Sequence, residues 1–161
     1  MSAETIYNFE VLVPEACKTV LVAAGLTAIT LADAQALQKT RPRVEIVYKH
    51  LGETTPKRLA ILPDGSKRTS CFRGELKLHA ITDADVAGKT AHSAYRAAIR
   101  NVLATLEQTL NGTVLTQHKI QFVVSGIEET GVRAADGYEQ TTFPFTIDIS
   151  IQQDAWATLG S

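Results

Sequence analysis

The chain has 161 residues, 45% of them hydrophobic and 20% charged, with a formal net charge of -1. These values fit one ordinary globular domain and exclude a disordered chain and a global basic field for nucleic acid. No apolar run approaches the roughly 18–20 residues of a membrane span.

Two cysteines, Cys17 and Cys71, stand far apart without CxxC or CxH spacing, which predicts reduced, buried thiols. The first six residues hold no basic segment leading into an apolar one, so the sequence predicts a protein made and folded in a cytoplasm.

In chain order, the first helical pattern is clearest over residues 14–24. Cys17, Val20, Leu21 and Ala24 share a face, Glu15 sits in the first turn, and Gly25 is placed to stop the helix. Pro14 would suit the first turn of that helix. Thr27 to Leu31 has the composition of a short strand, and Ala32 to Thr40 reads as a connector. From Arg41 to Leu51, Val44, Ile46 and Tyr48 alternate with Glu45, Val47 and Lys49, a strand pattern. Arg58–Leu62 and Thr69–Ile81 flank Pro63-Asp-Gly-Ser66, which predicts an extended hairpin. In its longer arm Phe72, Leu76, Leu78 and Ala80 face one side and Arg73, Glu75, Lys77 and His79 the other.

Thr82 to Lys89 reads as a loop, and Thr90 to Asn111 carries the strongest helical pattern. Its stripe is Tyr95, Ile99, Val102, Leu103, Leu106 and Leu110, with Thr90 as the expected N-cap and Gly112 as the stop. His118 to Ile127 is a further strand. Gly126, Gly131 and Gly137 mark a long mobile loop, and Asp136-Gly137 is a turn signal. In the last strand Phe143, Phe145, Ile147, Ile149 and Ile151 fall on every second residue, so a one-residue slip would put five large apolar groups into water. The expected architecture is α+β: a mostly antiparallel mixed sheet packed on one long helix and an N-terminal helix, in a single domain over residues 1–161.

Nothing in the sequence assembles a catalytic constellation, and the chain is read as a non-enzyme without cofactor or metal. The histidines His50, His79, His92 and His118 show no HExxH or HxH spacing. Asp83-Ala-Asp85 with Gly88 resembles half a calcium loop, but the glycine is out of register and Ala94 stands at the twelfth position. His92 and Ser93 are helix neighbours pointing about 100° apart. Lys57, Arg58, Lys67, Arg68 and Arg73, with Lys49 on the next strand, gather into one basic edge. That edge is either charge protection of an edge strand or a surface for a polyanion or partner.

A resemblance emerges from the order of several segments. These are Arg41-Pro-Arg-Val-Glu-Ile46, Phe72-Arg-Gly-Glu-Leu-Lys-Leu78, His92-Ser-Ala-Tyr-Arg96 opening a helix that ends in Leu110-Asn-Gly112, Asp136-Gly-Tyr-Glu139, and Gln153-Asp-Ala-Trp156. Together, over residues 41–156, they resemble the small tail terminator (tail completion) proteins of long-tailed bacteriophages, the family that includes the lambda-type minor tail protein U. The resemblance implies a structural virion protein of the tail, assembled in the host bacterial cytoplasm. It implies a ring of copies, six-fold as in that family, on the last ring of the tail tube protein. That ring stops polymerisation and presents a surface to the head connector or neck protein. It implies no small-molecule substrate and no membrane, and DNA contact only through the ring lumen. Ring contacts are heterologous. The expected pairing sets the basic hairpin (Lys57, Arg58, Lys67, Arg68, Arg73) against the acidic loop (Glu128, Glu129, Asp136). Trp156 is either a plug between sheet and helix or an anchor for a neighbouring subunit. The alternatives are another neck or tail-tube-related assembly protein, or a nucleic-acid-binding packaging accessory that uses the basic hairpin.

Overall fold

The computed structural model of the chain describes residues 9–30, 42–54, 69–83, 86–112, 120–135 and 137–152. Helix α1 (Phe9–Ala23) leads to strands β1 (Ala28–Ile29), β2 (Arg43–Thr54) and β3 (Thr69–Asp83). Helices α2 (Val86–Ala104) and α3 (Leu106–Asn111) follow, then β4 (Ile120–Ser125), β5 (Arg133–Ala135) and β6 (Tyr138–Gln152). The strands form one mixed sheet in the order β1-β2-β3-β6-β4, with β5 added to β6. Among the described residues only β1 and β2 run parallel. This is the α+β arrangement expected from the sequence.

The alternating strand patterns set the two faces. On β3, Phe72, Leu76, Leu78 and Ala80 are buried; on β6, so are Phe143, Phe145, Ile147 and Ile149. They meet Phe9, Val13, Cys17 and Leu21 of α1 and Ile99, Leu103, Leu106 and Leu110 of α2 and α3 in one core. Each large side chain buried there contributes on the order of 1.5–3 kcal/mol. Glu75 and Lys77 on the other face of β3 stay exposed. Pro144 is tolerated inside β6 because its backbone turns away from β3: its carbonyl accepts Glu128 N–H (3.1 Å) from the loop alongside, so the missing N–H costs the β3 ladder nothing.

Several boundaries differ from expectation. α1 includes Phe9, so Pro14 lies inside the helix. Its ring is buried between α1 and β2, and that burial offsets the lost backbone bond to Glu10. The helix does stop at Gly25, through a Schellman arrangement. Leu26 N–H bonds Leu21 O (3.1 Å), Gly25 N–H bonds Val22 O (2.9 Å), and Gly25 takes a φ of 87°. The long helix starts at Val86, not Thr90, and breaks at Thr105, whose N–H bonds Val102 O, three residues back (3.2 Å). Gly112 ends it with φ -93°, without the left-handed conformation. Cys17 is a buried free thiol, its pKa pushed up to about 12 by burial. Cys71, expected to be buried as well, is half-exposed, because it lies on the uncovered face of β3 opposite Ser150. The hairpin arm at 58–62 and its Pro63 turn, and the connector at 32–40, lie outside the described residues.

Gly74 sits in the middle of β3, where a Cβ would meet the Tyr48 ring at 2.2–2.5 Å. The ring lies flat over the glycine and carries its hydroxyl to His50 Nδ1 (2.9 Å). Gly74→Ala should therefore cost about 1–3 kcal/mol by overpacking, read as a lower urea midpoint. Adding Tyr48→Ala should recover part of that loss; additive losses would mean that the close approach is not the constraint.

Candidate interaction surface

The helices cover one face of the sheet, so the chemistry of the other face is carried by side chains standing on three long strands. On β3 these are Arg73, Glu75, Lys77 and His79; on β6 they are Gln140, Thr142, Pro144, Thr146 and Asp148; on β2, Val47 and Lys49. Cross-strand pairs organise them. Arg73 donates to both carboxylate oxygens of its register partner Asp148 (2.8 and 3.3 Å). His79 Nδ1 lies 2.8 Å from Thr142 Oγ1 and receives an N–H from Gln140 (3.1 Å). Exposed Val47 and Leu51 flank this polar centre on β2, and Val123 flanks it on β4.

The residues expected to form subunit contacts are not gathered as the sequence suggested. Arg73 is on an interior strand and not on an edge, and its charge is matched within the subunit by Asp148. Glu129 is also engaged: Arg100 donates to it through Nε and Nη2 (2.8 Å for the latter), and Arg96 Nε is 3.6 Å away. These arginines hold the Glu129 carboxyl below its ordinary value, with the Arg100 bonds the largest cause. Glu128 remains on the exposed loop. Lys57, Arg58, Lys67, Arg68, Asp136 and Trp156 lie outside the described residues.

The Gly-rich loop expected to be mobile is stitched to β6. Besides the Glu128 bond, Thr130 N–H reaches Thr142 O (2.9 Å), and Thr142 N–H returns to Thr130 Oγ1 (3.0 Å). The Arg100–Glu129 pair ties it to α2, and a shallow cleft of about 300 Å³ opens between them, floored by Leu103 and Phe143.

His92, singled out only as a neighbour of Ser93, is a buried bridge. Its Nδ1 lies 2.8 Å from Thr82 Oγ1 on β3 and its Nε2 2.8 Å from Thr141 Oγ1 on β6. Both hydroxyls can donate or accept, so a neutral imidazole is satisfied on both sides. The signal available in the sequence was only that His92 shares a helical face with Tyr95, Arg96 and Ile99. The threonines that receive it come from distant strands.

A second unforeseen feature closes one edge of the sheet. Phe122 turns its backbone away from β6, and the Asn111 side chain takes both groups: Nδ2 donates to Phe122 O (2.9 Å) and Oδ1 accepts Phe122 N–H (2.8 Å). Glu107 Oε1 accepts Val124 N–H (2.9 Å). The amide and carboxylate thus stand in for a further strand along β4. Among the described residues no group of three or more His, Cys, Asp or Glu side chains is placed to hold a metal ion, and no helix is long and apolar enough to cross a membrane. No protein-family model matches the chain, and no curated protein matches it.

Burial pulls His92 below its ordinary 6.5, opposed by Glu139 and Glu129 and aided by Arg96. It does the same to His79, opposed by Glu45 and aided by Lys77. The unfolded chain then binds more protons than the folded one just below 6.5. The stability these groups contribute is complete above that pH and lost as pH falls through the folded values. Urea midpoints should hold steady above about pH 7 and fall as the medium is acidified below about 6.5. His92→Asn and His79→Asn should flatten that slope; a slope unchanged in both would assign it to other groups. Arg100→Ala should leave the urea midpoint nearly unchanged, since the guanidinium is half-exposed. It should nevertheless speed amide exchange at Glu128 and Thr130, and unchanged exchange there would show that the backbone bonds hold the loop alone.

Proposed function

We propose that this chain is a structural assembly subunit of the phage tail terminator type. In this reading copies join in a ring on the end of a tail tube, stop its growth and offer the head connector a docking surface. The observation that carries this reading is the long central ladder: β3 and β6, 15 residues each, run side by side, and among the described residues the helices pack on one face of them. At about 3.3 Å per residue these strands span about 50 Å, a broad polar wall of the kind that a ring assembly can turn to its neighbours or its lumen.

The segments that carry the resemblance support the same reading by their placement. Val44–Ile46, Phe72–Leu78 and Tyr138–Glu139 lie on β2, β3 and β6, and His92 from the helical segment bonds β3 and β6 together. The ring contact is narrower than the charges in the sequence imply. Glu129 and Arg73 have partners inside the subunit, so the acidic side rests on Glu128 with Asp136, and the basic side on Lys57, Arg58, Lys67 and Arg68.

The test is the length of growing tubes. Tail tube protein polymerised with the chain present should give shorter tubes with a cap at one end in electron micrographs, and Glu128→Lys should weaken capping at low salt. An exposed pair is worth about 0.2–1 kcal/mol, so the effect should be a few-fold, repeated at each interface of the ring. Tubes of undiminished length at saturating protein would overturn the proposal. Capping indifferent to Glu128→Lys would overturn only the assignment of the contact.

A further inference from the structure

Among the described residues β4 is an edge of the sheet, and its outward backbone is taken by side chains of its own subunit. The two-residue period sends the backbone groups of Gln121 and Val123 toward β6 and those of Phe122 and Val124 away from it. Asn111 fills both Phe122 groups, and Glu107 fills the Val124 N–H. Both partners come from α3, which Thr105 separates from α2 and which Leu106 and Leu110 anchor in the core. The strand they cover reads Ile-Gln-Phe-Val-Val-Ser, without a charge, a proline or a glycine. A short uncharged run of high β propensity is the composition that pairs edge to edge with copies of itself. On the face opposite the helices its side chains are Gln121, Val123 and Ser125, all neutral and all exposed.

We propose that α3 is an autoinhibitory guard: Asn111 and Glu107 hold the β4 edge closed against antiparallel pairing with β4 of a second copy. The chemistry of the edge selects that occupant. The outward groups of Phe122 and Val124 in one copy match those of the same residues in the other, and a two-fold axis normal to the sheet keeps both helical layers on one side. Val123 then stands opposite its counterpart or two residues from it, an apolar contact with no like charges to hold it apart. The pairing is isologous and closes at two copies, so it would compete with any head-to-tail assembly. The guard does not depend on the tail reading, since it is built from contacts inside one subunit.

The test is backbone amide exchange at Phe122 and Val124 in the full-length chain, followed by NMR over a range of protein concentrations. In the unaltered chain α3 protects both amides, and that protection should not change with concentration. Glu107→Ala with Asn111→Ala removes one hydrogen bond from each amide. It should speed their exchange about tenfold in dilute solution, and exchange should slow again as concentration rises. Adding Val123→Lys, which sets like charges across the new contact, should keep exchange fast at every concentration at low salt. Unchanged protection along β3 shows that the fold persists. If the double variant loses that protection, Glu107→Ala alone decides, and a Val124 amide without concentration dependence there would overturn the proposal. In the folded double variant, slow exchange on dilution would overturn the guard, and fast exchange at high concentration would overturn the second copy as occupant. Concentration-dependent protection that survives Val123→Lys would overturn β4 pairing as its cause.

Discussion

The antiparallel ladder between β3 and β6 is the constraint on which the rest depends. It runs unbroken from Thr69 opposite Gln152 to Asp83 opposite Tyr138. Every second residue on each strand enters the core, so register and core are the same decision. The ladder joins residues some 55 to 83 positions apart in sequence, and its closure entropy is offset by burial of large apolar side chains, Phe72, Phe143 and Phe145 among them. Short-range devices then hold it from both sides. His92 bridges the two strands from the helical face, while Arg73–Asp148 and His79–Thr142 bridge them from the other.

Because the ladder fixes one face to the helices, the opposite face and the edges are surfaces left for recognition. Those surfaces are distinct in chemistry. The face opposite the helices is polar at its centre, with Arg73 and Asp148 paired across strands. The β4 edge is satisfied by side chains of α3, and among the described residues the β2 edge is paired with β1 at Val44 and Glu45. An assembly subunit needs surfaces that are unlike one another, since head-to-tail contacts join two different patches. The distribution of paired and unpaired groups supplies that difference. It also explains why charge reversal at Glu129 would be a poor probe of assembly: the residue's first partners are Arg100 and Arg96 of its own subunit.

Period-two alternation and the 3.6-residue stripe were enough to place β2, β3, β4, β6 and the long helix, and to tell core from surface on each. Ile99, Leu103, Leu106 and Leu110 are buried as the stripe requires. Gly25 also sits where local chemistry puts it, and Gly137 takes a φ of 85° between the paired Ala135 and Tyr138. Harder to read was whatever depends on partners brought from afar. Glu107 and Asn111 look like the wet side of a helix until β4 is known to lie beside them. Arg73 looked like part of a basic edge because neither its interior strand nor Asp148 opposite it is encoded locally. Pro14 looked like a helix start because its burial, which offsets the missing N–H, is a tertiary fact. The site was therefore less legible than the fold: patterns report which way a residue faces, and not what it meets there.

The claim at the centre of this account is that the chain completes itself by assembling. Native mass spectrometry of the chain at low salt, alone and after mixing with purified tail tubes, tests it most directly. The account predicts a closed multimer of one fixed stoichiometry, formed in solution or on meeting the tube and released with the tube ends. A chain that remains monomeric in both conditions and never travels with tubes would contradict it.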